Sequence, residues 1–168
     1  MSVLPVLPAQ DPLLRRIASR IRRMDKSLQC LLDDMVESMD AAQGVGLSGP
    51  QVGKPLRLIV ARVDNVLLQI ANPEIVRSKG EEIGDEGCLS LPVYYGSVSR
   101  ASQITIQGLD RNGKHFRRKV VGLLARVIQH EIDHLEGILF IDHLSKLKKS
   151  MIVKKLSKQK KTIERIVV

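Results

Sequence analysis

The stretch QHEIDHLEGILF, residues 129–140, places His130 and His134 four positions apart, with Glu131 directly after the first. In a helix that spacing stacks both imidazoles on one face, a turn apart. Two imidazoles aimed at one point suggest a metal site, and the adjacent carboxylate suggests a base for a metal-bound water. Catalytic sites of this kind use three protein ligands and keep one position open. The third ligand must come from elsewhere in the chain.

Working outward, the helix that carries the pair spans roughly residues 123–135, with Gly137 near its end. Before it, residues 57–109 carry strand signals. RLIVARV and VLLQI flank Asp64-Asn65, SQITIQGL alternates with period two, and Asn112-Gly113 marks a hairpin leading to a strand through Val120 and Val121. Further back, SLQCLLDDMVESMDAAQG reads as an amphipathic helix. Ser27 is its expected N-cap, Leu28, Leu31, Leu32, Met35, Val36 and Met39 form its stripe, and Gly44 ends it. Beyond the histidines, residues 145–168 read as a lysine-rich helix with Leu144, Leu147, Met151 and Leu156 turned towards the body. Strands grouped between helices predict an α+β fold in one domain, 1–168, with a body over 1–144 and a basic helix over 145–168.

The totals agree with this. The chain has 168 residues, 43% of them apolar, enough for one domain with a real core. Aromatics make up only 2%, so that core is aliphatic. The net charge of +9 is uneven, because residues 145–168 hold eight lysines and one arginine against one glutamate, or +8. Any acidic partner is therefore a matter for that segment, through Lys154, Lys155, Lys158, Lys160, Lys161 and Arg165. Without aromatics there, RNA binding would be electrostatic and not sequence-specific. The N-terminal residues lack an apolar signal region, no stretch is long enough for a membrane span, and two cysteines fit a reducing compartment. The expected location is a bacterial cytoplasm ahead of an organellar matrix.

Downstream, no third ligand fits. A metzincin protease would place another histidine at position 140, where this chain has Phe140. His143 comes three residues too late, and beyond Glu136 the next glutamate is Glu164 in the basic segment. Upstream, GDEGCLSLP holds Cys88 between Gly87 and Leu89. Alone, one cysteine reads as a small buried hydrophobe. With two histidines it makes a recognised catalytic set for Zn(II) or Fe(II). A third stretch, GVGLSGPQVG at residues 44–53, is turn-rich, and its backbone can approach a ligand closely. Cys30 reads as a packed thiol in the first helix, His115 as exposed, and His143 as a residue at the surface or behind the ligands.

GVGLSGPQVG, EGCLSLP and QHEIDHLEGILFID, in that order, resemble the three motifs of peptide deformylases, and the likeness extends from about Val3 to Ser145. It implies antiparallel sheets around a central helix carrying the histidines. It also implies removal of the N-formyl group from the formyl-methionine of new polypeptides. Cys88, His130 and His134 would hold one divalent ion, Fe(II) by resemblance, with Ni(II) or Zn(II) able to substitute. Glu131 would move the protons, while Gln51 and the backbone N–H of Leu89 would serve the developing oxyanion. Val45, Gly46 and Gly87 would pair with an extended substrate, and Val127 would wall the methionine pocket. Formylated nascent chains are the implied substrate, and the basic helix is a candidate contact to the ribosome.

Two departures stand out. Ser48-Gly49 replaces the usual Ala-Ala, and Gly49 is expected to loosen the turn presenting Gln51. Tyr94 and Tyr95 stand where bacterial relatives often have a basic residue. Two other readings compete: a broader metallopeptidase, for which the usual third ligand is missing, and a silent RNA-seeking binding protein, against which the retention of Cys88, Gln51 and Glu131 speaks.

Overall fold

The computed structural model describes the backbone of residues 2–166 and the side chains of residues 2–158. Helix α1 (Lys26–Ala41) is followed by β1 (Gly46–Ser48), β2 (Leu58–Val63) and β3 (Val66–Lys79). Then come β4 (Glu82–Cys88), β5 (Leu91–Arg100), β6 (Gln103–Leu109), β7 (His115–Val121), α2 (Gly122–Leu135) and α3 (Lys146–Ile166). Five strands form an antiparallel sheet in the order β1-β2-β3-β6-β7, and β4-β5 form a separate antiparallel pair.

Strand β2 shows why the large sheet is buried on both faces. Its residues alternate, so Ile59 and Ala61 meet Val127, Ile128 and Leu135 of α2. Leu58 and Val60 point the other way, to Leu32, Met35 and Met39 of α1. The sheet is thus sandwiched between the two helices, and α2 lies in the middle of the molecule. A third cluster unites Leu91 and Val98 of the β4-β5 pair with Leu139, Phe140, Ile141 and Ile152. It docks that pair and the start of α3 beside α2.

Several details differ from expectation. The N-cap of α1 is Asp25, whose Oδ1 accepts from Leu28 N–H at 2.9 Å, and Ser27 lies inside the helix. A carboxylate at the cap also complements the helix dipole, which a hydroxyl does not. At the other end Gln43 takes φ +54°, and Gly44 N–H returns to Met39 O at 2.9 Å. Cys30 is exposed, not packed, because the buried stripe of α1 runs through Leu32, Met35 and Met39. In α3, Ile152 is buried and Leu156 packs partly against the third cluster, whereas Leu147 and Met151 are exposed. The phase of that helix follows Ile152 and Leu156, four apart, together with a 2.7 Å ion pair from Lys149 to Asp142. Lys146, Lys148, Lys154, Lys155 and Lys158 are exposed, and Lys160, Lys161 and Arg165 lie outside the residues whose side chains are described.

Candidate metal centre and catalytic site

Helix α2 begins directly where β7 ends, with Gly122 at φ +60° making the bend. Its buried face carries Val127, His130, Glu131 and His134. The two imidazoles stand nearly perpendicular, 77° between planes, with centroids 5.0 Å apart. Cys88, at the end of β4, reaches them from the small sheet, and its Sγ lies 3.3 Å from His134 Nε2. One ligand atom from each of Cys88, His130 and His134 lies within 4.8 Å of the others. Bond lengths near 2.0–2.3 Å at tetrahedral angles place donors roughly 3.3–3.8 Å apart, so a small contraction suffices to hold a metal. Phe140, in the slot where a metzincin would have its third histidine, stacks on His130 with centroids 6.3 Å apart.

Glu86, two residues before Cys88, holds the cluster from behind. Its Oε2 accepts from His130 Nδ1 at 3.0 Å, which leaves Nε2 of that ring for a metal. Arg100 grips the same carboxylate through Nε at 2.9 Å and Nη2 at 3.0 Å, and Arg126 Nη1 adds a bond at 2.9 Å. Burial opposes the charge on Glu86, but the bonds to Arg100 and His130 prevail and bring it down to about 2. Arg100 continues to Asp133 at 2.6 Å, and Asp133 to His143 at 2.7 Å. His143 therefore lies at the surface end of this chain of contacts and is not in the ligand cluster.

Burial and the charges of His130 and Arg100 push His134 well below the usual imidazole range, so it is neutral and able to ligate. Around His130 the balance is opposite. Burial works against its charge, yet bonds to Cys88 and Glu86 and the charge of Glu131 push it up to about 10. One thiol and two imidazoles, with donor atoms within 4.8 Å of one another, make a ligand set of the kind that borderline divalent ions take. The donor set fits a metal ion.

Glu131 is buried, and its Oε2 has no hydrogen-bond partner among the described residues. Burial pushes its carboxyl up to about 7, a value suited to taking and giving a proton near neutrality. Gly46 makes room for it. A Cβ there would run into Glu131 Oε1 and come within 2.7 Å of Val127 Cγ1. Gln51, in a 3-10 turn over Pro50–Val52, is buried, with Nε2 3.5 Å from Cys88 Sγ and 3.3 Å from Ser90 Oγ.

A cavity of about 470 Å³ joins these groups, and Val45, Gly46, Gln51, Gly87, Cys88, Leu89, Val127, His130 and Glu131 all line it. The predicted residues thus come together, His134 lying deeper behind the wall. Sequence reasoning missed Leu123, which lines the cavity one turn before Val127 and lay on the same i, i+4 series. It also missed Glu86, Arg100 and Arg126, of which Glu86 stood in plain sight beside the cysteine motif. Both strands nearest the cavity are edge strands. Val45 O accepts from Arg62 N–H and Gly49 N–H reaches Leu58 O, so by alternation the backbone groups of Gly46 point away from β2. Gly87 lies at a register shift in β4, with the Tyr95 ring against it.

The Gly49 expectation is overturned. Gly49 is helical at φ −52°, its N–H and C=O are both bonded, and a Cβ would meet Leu56 O at 2.6 Å and Lys54 O at 2.8 Å. Close backbone packing makes this turn tight, not loose.

The family model for polypeptide deformylase matches residues 3–150. A peptide deformylase of Rhizobium meliloti (strain 1021) is 42% identical over 168 residues, covering 96% of this chain and 97% of its own length. One from Syntrophomonas wolfei is 47% identical over 142 residues, covering 84% and 93%. Among solved structures, the peptide deformylase of Legionella pneumophila superposes with a TM-score of 0.89 at 46% identity, covering 98% of this chain and 99% of that one. That of Ehrlichia chaffeensis in complex with actinonin gives 0.91 at 38%, covering 95% and 98%. With the site geometry, these matches show that the chain belongs to the peptide deformylase family.

Proposed function

We infer that the chain hydrolyses the N-formyl group from formyl-methionine at the start of newly made polypeptides, releasing formate. The observation that carries this is the meeting of Cys88, His130 and His134 with Glu131 and the Gln51 amide at one cavity. Cys88, His130 and His134 hold the metal, which when bound acidifies water and polarises the formyl carbonyl. Glu131 takes a proton from the attacking water and delivers it to the departing amine nitrogen as the C–N bond breaks. Gln51 Nε2 and the Leu89 N–H donate to the oxygen that becomes negative, worth ~3–4 kcal/mol of transition-state stabilisation for one donor. The outward backbone of Gly46 and the segment at Gly87 align the peptide as an added strand, with Val45 beside them. Val127 and Leu123 wall the apolar pocket for the methionine side chain.

Fe(II) is the ion we assign, with Ni(II) and Zn(II) as substitutes; thiolate with two imidazoles suits all three. The chain acts as one catalytic unit in a bacterial cytoplasm, its body over residues 1–144 and its basic helix over 145–168. Among the described residues no helix is long and apolar enough to cross a membrane. Lys146, Lys148, Lys154, Lys155 and Lys158 of α3 are exposed, which supports electrostatic contact with ribosomal RNA. The deciding assay measures formate release from a formyl-Met tripeptide, cleavage of the unformylated peptide, and metal content on one sample. Formate release with no internal cleavage is the expected result; cleavage of the unformylated peptide would make the protein a broader metallopeptidase. Neither activity in a metal-loaded sample would leave it a binding protein.

A further inference from the structure

Gln51 is the one side chain in the site whose donor and acceptor ends must not be exchanged, since only its NH2 end can serve an oxyanion. The structure shows what sets it. Oε1 of Gln51 accepts from the backbone N–H of Ser48 at 2.9 Å and lies 2.8 Å from Ser48 Oγ. A carboxamide oxygen cannot donate, so the hydroxyl does. Ser48 is fully buried, away from bulk solvent. Val45 and Gly49, on either side of β1, bond to the β2 side, so by alternation Ser48 N–H points outwards and its partner is the Gln51 side chain. With its oxygen held on this side, the amide presents Nε2 to Ser90 Oγ and Cys88 Sγ.

We propose that Ser48 is a positioning residue for the hydrolysis, its hydroxyl locking and polarising the Gln51 carboxamide so that the NH2 end faces the reacting carbonyl. The proposal rests on the function inferred above. Two donors on Oε1 draw electron density from the amide and strengthen its N–H groups as donors, as linked hydrogen bonds do in a site of low dielectric. They also remove the rocking motion that one bond would leave, which matters because a donor must sit within a few tenths of an ångström of the oxyanion. An alanine at this position would retain the backbone N–H and lose the second donor.

The test compares wild type, Ser48→Ala, Gln51→Ala and the double variant. Expected for Ser48→Ala is a roughly three- to tenfold fall in kcat, the size of one neutral hydrogen bond, with KM within about twofold and metal content unchanged. In the Gln51→Ala background, Ser48→Ala should lower kcat no further, because the group it positions is gone. An equal fall in both backgrounds, or no fall in either, overturns the proposal. A second readout does not depend on turnover: hydrogen exchange of the Gln51 side-chain amide protons in the zinc-loaded protein, identified by their loss in Gln51→Ala. They should exchange several-fold faster in Ser48→Ala, and equal exchange overturns the proposal. A metal-loaded wild type that releases no formate would sink the inferred function instead, and the exchange rates would still decide the role of Ser48.

Discussion

Glu86 Oε2 and His130 Nδ1 lie 3.0 Å apart, joining the strand that carries the thiol to the helix that carries the imidazoles. One carboxylate therefore ties together two residues 44 positions apart in the chain and leaves Nε2 of the His130 ring as the nitrogen that would face a metal. The bonds from Arg100 and His130 keep that carboxylate ionised despite its burial.

Glu86→Gln should weaken metal affinity about 10–100-fold, as loss of such an orienting carboxylate does, while Cys88, His130 and His134 stay in place. Competition with a chelator measures it. The pH dependence follows from the sign of the shift. The Glu86 carboxyl is lowered in the folded state, so its contribution is complete above the unfolded value of 4.5 and is lost as pH falls towards about 2. That is on the order of 3 kcal/mol. Urea melts of wild type and Glu86→Gln from pH 7 to 3 should converge at the acid end, and parallel curves would contradict the assignment.

Glu131→Gln should keep the metal and lose turnover by ~10²–10⁴-fold, because one carboxylate moves both protons. It should also stabilise the metal-free protein at pH 8. The carboxyl is raised to about 7, so folding gains from its neutral form below 4.5 and loses that gain as pH rises through 7. Glutamine removes a buried charge that costs on the order of 3 kcal/mol at pH 8. Calorimetry at pH 8 and pH 5 checks the difference, which should shrink at the lower pH.

Cys88→Ser should lose most bound metal, since a hydroxyl is a far poorer ligand than a thiolate. Cys30→Ser should leave metal and activity unchanged, because Cys30 is exposed on α1 away from the cavity. Equal metal in wild type and Cys88→Ser, by elemental analysis, would move the third ligand elsewhere. Iron-loaded protein should be the more active form and should decay in air as Fe(II) and thiolate oxidise, with a nickel-loaded form persisting.

Gly49→Ala should destabilise the protein by about 1–3 kcal/mol and lower kcat, because its Cβ would press on the backbone oxygens of Leu56 and Lys54 and displace the turn that carries Gln51. Thermal melts and formate release measure both. A neutral result would mean that the segment through Leu56 yields easily.

Replacing Lys148, Lys154, Lys155 and Lys158 by glutamine should reduce ribosome binding and its salt dependence while leaving hydrolysis of a short formyl-Met peptide intact. Deleting the helix after Lys149 is a different experiment, since it removes the buried Ile152 and the half-buried Leu156 and so takes away packing as well as charge. Ribosome cosedimentation at two salt concentrations separates contact from simple solubility. Unchanged binding in the glutamine variant would rule out the contact.

Features that depend on neighbours along the chain were legible before folding. The i, i+4 spacing of His130 and His134 is a property of any helix, and a glycine-flanked cysteine and a turn with Gln51 have few other uses beside such a pair. The strand regions and the Asn112-Gly113 hairpin follow from alternation and turn chemistry in the same way. Tertiary structure alone decided how these segments meet. Nothing local told that Glu86 would bind His130, that Ser48 would hold Gln51, or that Gly49 would be hemmed in by Leu56 and Lys54. Nor could periodicity choose between Met151 and Ile152 as the buried residue of α3, because a helix rich in lysine offers several weak apolar faces and the docking surface selects one. Spacing within an element is set by backbone geometry; contact between elements exists only once the core has closed, and there the carboxylate, the hydroxyl and the glycine acquired their roles.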